Sequence, residues 1–280
     1  MKKDKMKIYD LTASIVLFKS NPEEVINVLE EFLKTPLKCK LFLIDNSPTA
    51  DLNQYFKNYP VSKVEYMFMG RNSGFGTGHN VAIDRALDLS DYHVVLNSDI
   101  KFSSKILLMM RNYMIKNRDV GLLAPKILNF DGSLQYSAKL LPSPVNLIVR
   151  RFIPVNFIQQ KLDYRYEFRF WSFDKIVNVP YVMGCFMFMS TKALKKVGGF
   201  DERFFMYPED IDLTRRIHQY FKTLYFPGAE IYHKHGKGSY KNLKLLYYHT
   251  TSMIKYFNKW GWIFDQSRRR INKSTLEQLK

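Results

Sequence analysis

The order of apolar and polar positions divides the chain into two stretches of different rhythm. Over the first 120 or so residues, short apolar runs alternate with segments of helical spacing. Leu11 to Phe18 reads as a strand. Asn21-Pro22-Glu23-Glu24 follows as a helix start, with proline in the first turn and carboxylates at the positive helix end. Val25, Ile26, Leu29, Phe32 and Leu33 then recur on one helical face. Lys40 to Ile44 reads as a second strand, about 50–58 as a polar helix, and Val64 to Met69 as a third strand. Arg71 to Asn80 leads into a helix carrying Ala82, Ile83, Ala86 and Leu87. The fourth strand, Tyr92 to Leu96, has β-branched Val94 and Val95 and needs a core on both faces. A helix is expected near 103–116. Alternation of this kind implies an α/β fold with a mostly parallel sheet and right-handed crossovers.

After Val120 the rhythm loosens. Val120 to Leu128 reads as a strand and Asp131-Gly132 as a tight turn. Residues 140–175, rich in proline, arginine and aromatic side chains, show no clear period. Val177 to Met189 reads as a buried strand pair or bend about Gly184. A helix is expected over Pro208 to Tyr220, with short strands at Lys222 to Phe226 and Glu230 to His233. Beyond about residue 240, Leu243, Leu246, Met253, Ile254, Phe257 and Phe264 recur at helical spacing, with basic residues among them. Residues 241–280 are therefore expected to form a basic amphipathic helical tail. It could lie on an anionic membrane surface, or pack on the domain with its charged face solvated.

Charge sharpens this picture. With 43 Lys and Arg against 26 Asp and Glu, the net charge is +17, which calls for a polyanionic partner: nucleic acid, anionic lipid or a phosphorylated substrate. The tail from Lys241 to Lys280 holds nine basic and two acidic residues, 9 − 2 = +7. No apolar run reaches the ~18 residues of a spanning helix. The longest uncharged stretch, Ile176 to Thr191, is interrupted by Asn178, Pro180 and Gly184. The lysine-rich N-terminus is not followed by a signal-peptide core. Two cysteines, Cys39 and Cys185, fit a reducing, cytoplasmic location.

Four stations carry candidate chemistry. Asn97-Ser98-Asp99 ends the fourth strand, where ligands collect in open α/β sheets. A carboxylate there can hold a divalent cation while phosphate oxygens fill the remaining positions; an ordinary turn is the plainer reading. Asp45 closes the second strand on the same edge, able to meet a base or ribose, or to form an Asx-turn with Asn46 and Ser47. Gly74, Gly76 and Gly78 precede a helix N-terminus, where backbone can approach phosphate. They match neither the dinucleotide fingerprint nor a Walker loop. Glu209, Asp210 and Asp212 crowd one helix start behind aromatic residues. Shielding from water there would raise a carboxyl toward the range of a general base. His233 and His235, within a glycine-rich stretch, are candidate metal ligands.

Taken together, Asp45-Asn46-Ser47, Asn72 to Asn80, Leu96-Asn97-Ser98-Asp99, Gly198-Gly199-Phe200-Asp201, Phe205-Met206-Tyr207-Pro208-Glu209-Asp210-Ile211-Asp212-Leu213 and His233 with Ser239 resemble bacterial family 2 glycosyltransferases, nearest the rhamnosyltransferase-like branch. The resemblance runs over roughly residues 10 to 240. It implies a GT-A fold with a nucleotide-binding half (about 8–120) and an acceptor half (about 121–240). It also implies an inverting enzyme that uses a UDP-, dTDP- or GDP-sugar and Mg²⁺ or Mn²⁺. The acceptor would be a saccharide or a polyprenyl-linked oligosaccharide in cell-surface polysaccharide synthesis, reached on the inner face of the membrane. Asn97-Ser98-Asp99 stands where the family has its DxD motif. Asn97 replaces the first acid, so Asp99 would be the main direct ligand, with His233 its partner. By the same likeness Asp45, Asn72, Gly74, Gly76, Asn80, Asn97 and Ser98 would serve the nucleotide-sugar. Asp210 would be the base, and Glu209 would position the acceptor.

Two rivals remain at this level. A sugar-nucleotide pyrophosphorylase would need a glycine-rich, arginine-containing loop after the first strand, where this chain has Phe18-Lys19-Ser20-Asn21-Pro22. A non-catalytic membrane- or RNA-binding protein would show salt-sensitive binding and no response to nucleotide-sugar. The enzyme reading expects no nucleic-acid partner.

Overall fold

The computed structural model describes residues 7–146, 156–234 and 243–279. The first half follows the expected alternation: β1 (Leu11–Leu17), α1 (Pro22–Leu33), β2 (Cys39–Asp45), α2 (Asn53–Phe56), β3 (Val64–Phe68), α3 (Phe75–Leu89) and β4 (Tyr92–Leu96). The Asn21 side chain caps α1 by accepting from the Glu23 N–H at 2.9 Å, and the helix buries Val25, Val28, Leu29 and Phe32. Every residue of β2 is buried, because β1 and β3 flank it and helices cover both faces. The polar helix expected over 50–58 is a single turn.

The second half holds β5 (Ile100–Phe102), α4 (Lys105–Lys116), β6 (Val120–Leu128), β7 (Leu134–Gln135), β8 (Ala138–Lys139), α5 (Asn156–Tyr166), β9 (Val177–Asn178), β10 (Tyr181–Val182), β11 (Phe186–Ser190), α6 (Thr191–Val197), α7 (Glu209–His218) and β12 (Lys222–His233). The main sheet runs β3-β2-β1-β4-β11-β6-β12-β5, with β7 on β6 and β9 on β12. Strands β3, β2, β1 and β4 are parallel, and β11 enters antiparallel between β4 and β6. The two short strands expected near 222–233 are one strand, β12. Its register against β6 shifts between Phe226 and Glu230, across Pro227-Gly228.

Two features of this topology position the site. Leu17 lies opposite Asp45, and Ile15 opposite Leu96, so the carboxyl ends of β1, β2 and β4 open on one edge. Strand β5 pairs with the end of β12, placing Ile100 opposite His233. The chain leaving β4 through Asn97-Ser98-Asp99 therefore lands beside His233, and the Lys234 N–H donates to the Asp99 carbonyl at 3.0 Å.

The tail forms α8 (Leu243–Trp260) and α9 (Gln266–Glu277), separated at Gly261, whose φ is 99°. Part of the apolar face inferred from the sequence packs on the domain, the second of the two expected arrangements. Met253, Tyr256 and Phe257 are buried against Leu141, Phe204 and Ile211. Arg215 of α7 grips Asp265 with two bonds of 2.8 and 2.7 Å, both side chains almost fully buried. Asp212, also buried, accepts from Trp260 Nε1 at 2.7 Å and pairs with Lys259 and Arg216. Of the other residues placed on that face, Ile254 is 44% exposed and Phe264 88%.

Candidate active site

A cleft of about 780 Å³ opens between the end of β4, the β6–β7 hairpin, the start of α7 and α8. Asn97, Gln135, Gly184, Asp210 and His233 are among the side chains and backbone that line it, with Glu209 beneath Asp210. His249 and Met253 of α8 complete one wall.

On one side of this cleft stand Asn97 and His233, with Asp99 behind them, beside His233 but not among the lining residues. His233 Nε2 is 3.5 Å from Asp99 Oδ1 and 3.5 Å from the Asn97 side-chain amide. These separations are at the long limit of hydrogen bonding. Gln135 fixes the ring. Its NH₂ donates to the His233 carbonyl at 2.7 Å and to Asn129 Oδ1 at 2.6 Å. That leaves Gln135 Oε1, 3.1 Å from His233 Nδ1, to accept a proton from Nδ1. In neutral His233 the lone pair is then on Nε2, facing Asp99 and Asn97, as an imidazole metal ligand requires. Burial resists protonation of this ring, but Cys185 and the Asp99 carboxylate outweigh it and raise His233 to about 10, so without a metal the ring is a cation near neutrality and a metal would have to displace the Nε2 proton. Burial likewise pushes Asp99 up, and His233, Asn97 and a backbone N–H outweigh it, holding the carboxyl below its ordinary range.

The donor set fits a hard divalent cation only in part. Asp99 supplies oxygen and His233 nitrogen, and among the described residues no cluster of three or more His, Cys, Asp or Glu side chains surrounds a metal position. Such an ion would draw its remaining ligands from water and phosphate oxygens. His235 and Ser239 lie outside the described residues.

Across the cleft, α7 begins with Pro208 and the two acids. Tyr207 just before it adopts φ 94°, a strained value for a residue with a side chain. Asp210 is held at both oxygens: the Gly184 N–H donates to Oδ2 at 3.0 Å and the Ile211 N–H to Oδ1 at 2.7 Å. Burial raises its carboxyl to about 7, against these two N–H groups and the charge of Lys139. Glu209 is more deeply buried, and its Oε2 has no hydrogen-bond partner among the described residues. Burial, then the neighbouring Asp210 carboxylate, pushes it well above the carboxylate range. The pair therefore holds Glu209 protonated and leaves Asp210 able to give or take a proton near neutrality.

Other expected site residues are committed to the fold. Asp45 is fully buried; it accepts from the Ser47 N–H at 2.8 Å and from the Tyr66 hydroxyl at 2.5 Å. That is the Asx-turn alternative, and it presents no carboxylate edge to a ligand. Gly74 and Gly76 give close approach to protein and not to phosphate. A Cβ on Gly74 would sit 2.3 Å from the Phe205 carbonyl oxygen, and one on Gly76 2.8 Å from Phe200 Cβ. Asn80 clamps the Gly198–Asp201 loop, accepting from the Phe200 N–H at 2.7 Å and donating to the Phe200 carbonyl at 2.9 Å. Asn72 is exposed and accepts from the Gly74 N–H. Ser98 is half-buried in the turn between β4 and β5. The structure thus brings Asn97, Asp99 and His233 together, and Glu209 with Asp210. It buries Asp45, Gly74 and Gly76, and leaves Asn80 half-buried against the Gly198–Asp201 loop and Glu202.

Sequence reasoning missed Gln135, which carries no motif and acts only through the hairpin that brings it to His233. It also missed the floor of the cleft. There Lys139 bonds Glu167 at 2.9 Å, and Arg169 bonds the other Glu167 oxygen at 2.7 Å. Gly184 was legible as a bend but not as a donor to Asp210.

Residues 13–246 match the family described as Glycosyltransferase like family 2. The chain belongs to this family. It is 29% identical over 216 residues to the N-acetylglucosaminyl-diphospho-decaprenol L-rhamnosyltransferase of Mycobacterium tuberculosis, covering 72% of this chain and 68% of that protein. It is 26% identical over 210 residues to the rhamnosyltransferase WbbL of Escherichia coli K12, covering 72% and 75%. The low-salt glycan biosynthesis hexosyltransferase Agl10 of Haloferax volcanii is 24% identical over 210 residues, covering 74% and 61%. Among solved structures, GalNAc-T7 with UDP, GalNAc and Mn²⁺ superposes with a TM-score of 0.59 at 14% identity, over 82% of this chain and 45% of that one. S. aureus TarS superposes with a TM-score of 0.59 at 14% identity, over 96% and 43%. The chain thus spans less than half the length of these two solved chains, and they establish its GT-A fold. This family 2 glycosyltransferase is an enzyme whose relatives are rhamnosyl- and hexosyltransferases.

Proposed function

We propose that this glycosyltransferase moves a sugar, with inversion, from a nucleoside diphosphate donor to a hydroxyl of a saccharide or polyprenyl-linked acceptor in cell-surface glycan synthesis. The observation that carries the reading is the shared cleft: Asp210, raised to about 7, lines it together with Asn97 and His233. An acceptor hydroxyl needs a base as its oxygen bonds to the sugar C1. Asp210 is held by two N–H groups with its carboxyl at the cleft wall, and it takes that proton. Glu209 stays protonated behind it and keeps the local charge at one. Attack and departure lie on opposite sides of the sugar in a single displacement, so the diphosphate leaves toward Asp99 and His233. A Mg²⁺ or Mn²⁺ held by Asp99 and His233 would neutralise charge growing on the diphosphate. Lys139 and Arg169 at the cleft floor, both tied to Glu167, give the acceptor side a polar surface.

The membrane enters as the source of a lipid-linked acceptor. The M. tuberculosis relative is named for a decaprenyl diphosphate acceptor, and among the described residues no helix is long and apolar enough to cross a membrane. A peripheral site on the cytoplasmic face fits both.

The test is a thermal-shift screen of UDP-, dTDP- and GDP-sugars with and without Mn²⁺, followed by transfer assays of Asp210→Asn. One nucleotide class should raise the melting temperature. The variant should keep that shift while turnover falls about 10²–10⁴-fold. Full transfer by Asp210→Asn would remove the base assignment.

A further inference from the structure

The turn between α8 and α9 exposes three consecutive large apolar side chains. Trp262 is 40% exposed, Ile263 66% and Phe264 88%. Single exposed apolar residues elsewhere on the molecule are ordinary, but a contiguous triplet at the tip of a turn is not. The stripe continues along α8. Tyr247 and Ile254, seven residues apart and so on one face, are 65% and 44% exposed. Asn258 follows on that face and accepts from Trp262 Nε1 at 2.8 Å.

The turn is held rigidly. Gly261 closes α8 with its N–H on the Phe257 carbonyl at 2.8 Å. Arg268 reaches back to the Trp262 carbonyl at 3.3 Å. Asp265, one residue after Phe264, is locked to Arg215 and also caps α9 by accepting from the Arg268 N–H. Because the scaffold fixes the backbone of this turn, inserting it into another medium orders little further chain.

Charge identifies that medium. Arg269, Arg270 and Lys273 are exposed within the first two turns of α9, on the order of 10 Å from Phe264 along the helix. The acid nearest Arg269 and Arg270 in sequence, Asp265, is buried and paired, whereas Lys273 lies 3.9 Å from exposed Glu277. An apolar tip beside exposed cations matches acyl chains beneath anionic headgroups.

We propose that the Trp262-Ile263-Phe264 turn is a membrane wedge, inserted into the interface of an anionic bilayer with Arg269 and Arg270 on the headgroups. This deepens the membrane partner in the reading above and rests on the part of the tail's apolar face that the fold leaves exposed. It also orients the enzyme. His249 and Met253 of α8 line the cleft, whereas Tyr247 and Ile254 lie on roughly the opposite side of the same helix. Helix α8 then stands between lipid and cleft, a spacer about 10 Å thick. A glycan carried on a lipid diphosphate reaches past it.

Co-sedimentation with phosphatidylglycerol/phosphatidylethanolamine vesicles and with phosphatidylcholine vesicles tests this on the full chain. The wild type should bind the anionic vesicles in preference, with affinity falling as salt rises. Ile263→Ser/Phe264→Ser should lose at least about tenfold in partitioning to anionic vesicles, and Arg269→Gln/Arg270→Gln should lose the salt dependence. Both should keep the wild-type melting temperature, the donor-induced shift and transfer to a lipid-free acceptor, because none of the four touches the cleft. Equal vesicle binding by the serine variant overturns the proposal. So does a wild type indifferent to lipid charge, or one that self-associates through this turn in sedimentation and ignores vesicles. An inactive Asp210→Asn that still binds vesicles separates this surface from the transfer reaction.

Discussion

Gly184 donates its backbone N–H to Asp210 Oδ2 at 3.0 Å, and a Cβ added to it would stand 3.2 Å from Asp210 Cβ. The residue that orients the proposed base is thus also the one that leaves room for it. The turn leading into β11 carries the two contacts together, since Gly184 lies two residues before the strand's first residue, Phe186. A Cβ here requires Asp210 to give by a few tenths of an ångström, against the two N–H groups that hold its carboxyl.

Gly184→Ala should therefore lower kcat by about tenfold or more while the donor-induced thermal shift stays near wild type. A fall in donor binding with kcat intact would place Gly184 in the nucleotide site instead.

Replacement of Asp210 carries a stability signature as well as a kinetic one. Its folded carboxyl sits at about 7, above the ordinary value of an unfolded chain. The protonated form is favoured by folding, so this contribution is full below about pH 4 and is lost as pH rises through 7. Asn does not titrate, yet its NH₂ must face one of the two N–H donors from Gly184 and Ile211. Asp210→Asn should be slightly less stable than wild type at pH 5 and more stable at pH 8, by roughly 1–3 kcal/mol. Urea denaturation at the two pH values checks the crossing. A constant difference would show that Asp210 is not raised.

Gln135 sets the tautomer of His233, so its loss should be felt by a cation and not by the fold alone. Gln135→Leu should weaken Mn²⁺-dependent stabilisation by about 10-fold or more, read as the Mn²⁺ concentration giving half the thermal shift in saturating nucleotide. Gln135→Glu, which retains an acceptor for Nδ1–H, should recover part of it. If Gln135→Leu leaves the Mn²⁺ titration unchanged, His233 does not bind the ion through Nε2.

What the sequence could show was whatever is local. Strand and helix alternation up to residue 116, the cap at Asn21 and the acids at the start of α7 all depend on neighbours in the chain. The meeting of Asp99 with His233 was legible only through family resemblance, because it arises from β5 pairing with β12 and not with its sequence neighbour β4. The glycines misled for a physical reason. Close backbone approach looks the same in sequence whether the visitor is a phosphate or, as at Gly76, the Phe200 side chain. For helix α8 the period was legible, but which of its two expected surroundings it met was not, because Phe204 and Ile211 come from distant segments.

The buried pair that docks the tail should be costly to break. Arg215 also lies 4.0 Å from the centre of the Trp260 ring, so removing its partner strands a cation amid aromatic side chains. Asp265→Asn should destabilise the protein by about 3–5 kcal/mol. Since α8 lines the cleft, loss of donor-independent acceptor binding should accompany it. Urea titration of the variant measures the first, and a stability change under about 1 kcal/mol would mean that the ion pair is dispensable.

Strand β1 carries a buried polar chain that makes the fold sensitive to acid. Thr12 and Ser14 alternate with the apolar Leu11, Ala13 and Ile15, and face α3 and β4. Ser14 Oγ lies 2.7 Å from His79 Nδ1 and 2.9 Å from His93 Nε2, and Thr12 Oγ1 lies 3.0 Å from His93 Nδ1. Both imidazoles are fully buried. Burial lowers His93 to about 3, and burial, with the nearby His93, pushes His79 well below its ordinary value. The unfolded chain takes up protons on these residues near pH 6.5 and the folded chain does not. The stability they confer is therefore complete above about 6.5 and is lost progressively as pH falls toward 3, at up to about 1.4 kcal/mol per pH unit for each histidine. His93→Gln keeps a donor and an acceptor in its terminal amide but cannot titrate, so it should flatten the decline in unfolding free energy between pH 6.5 and 4.5. Parallel urea titrations of wild type and variant over that range decide the matter, and identical slopes would locate the acid sensitivity elsewhere.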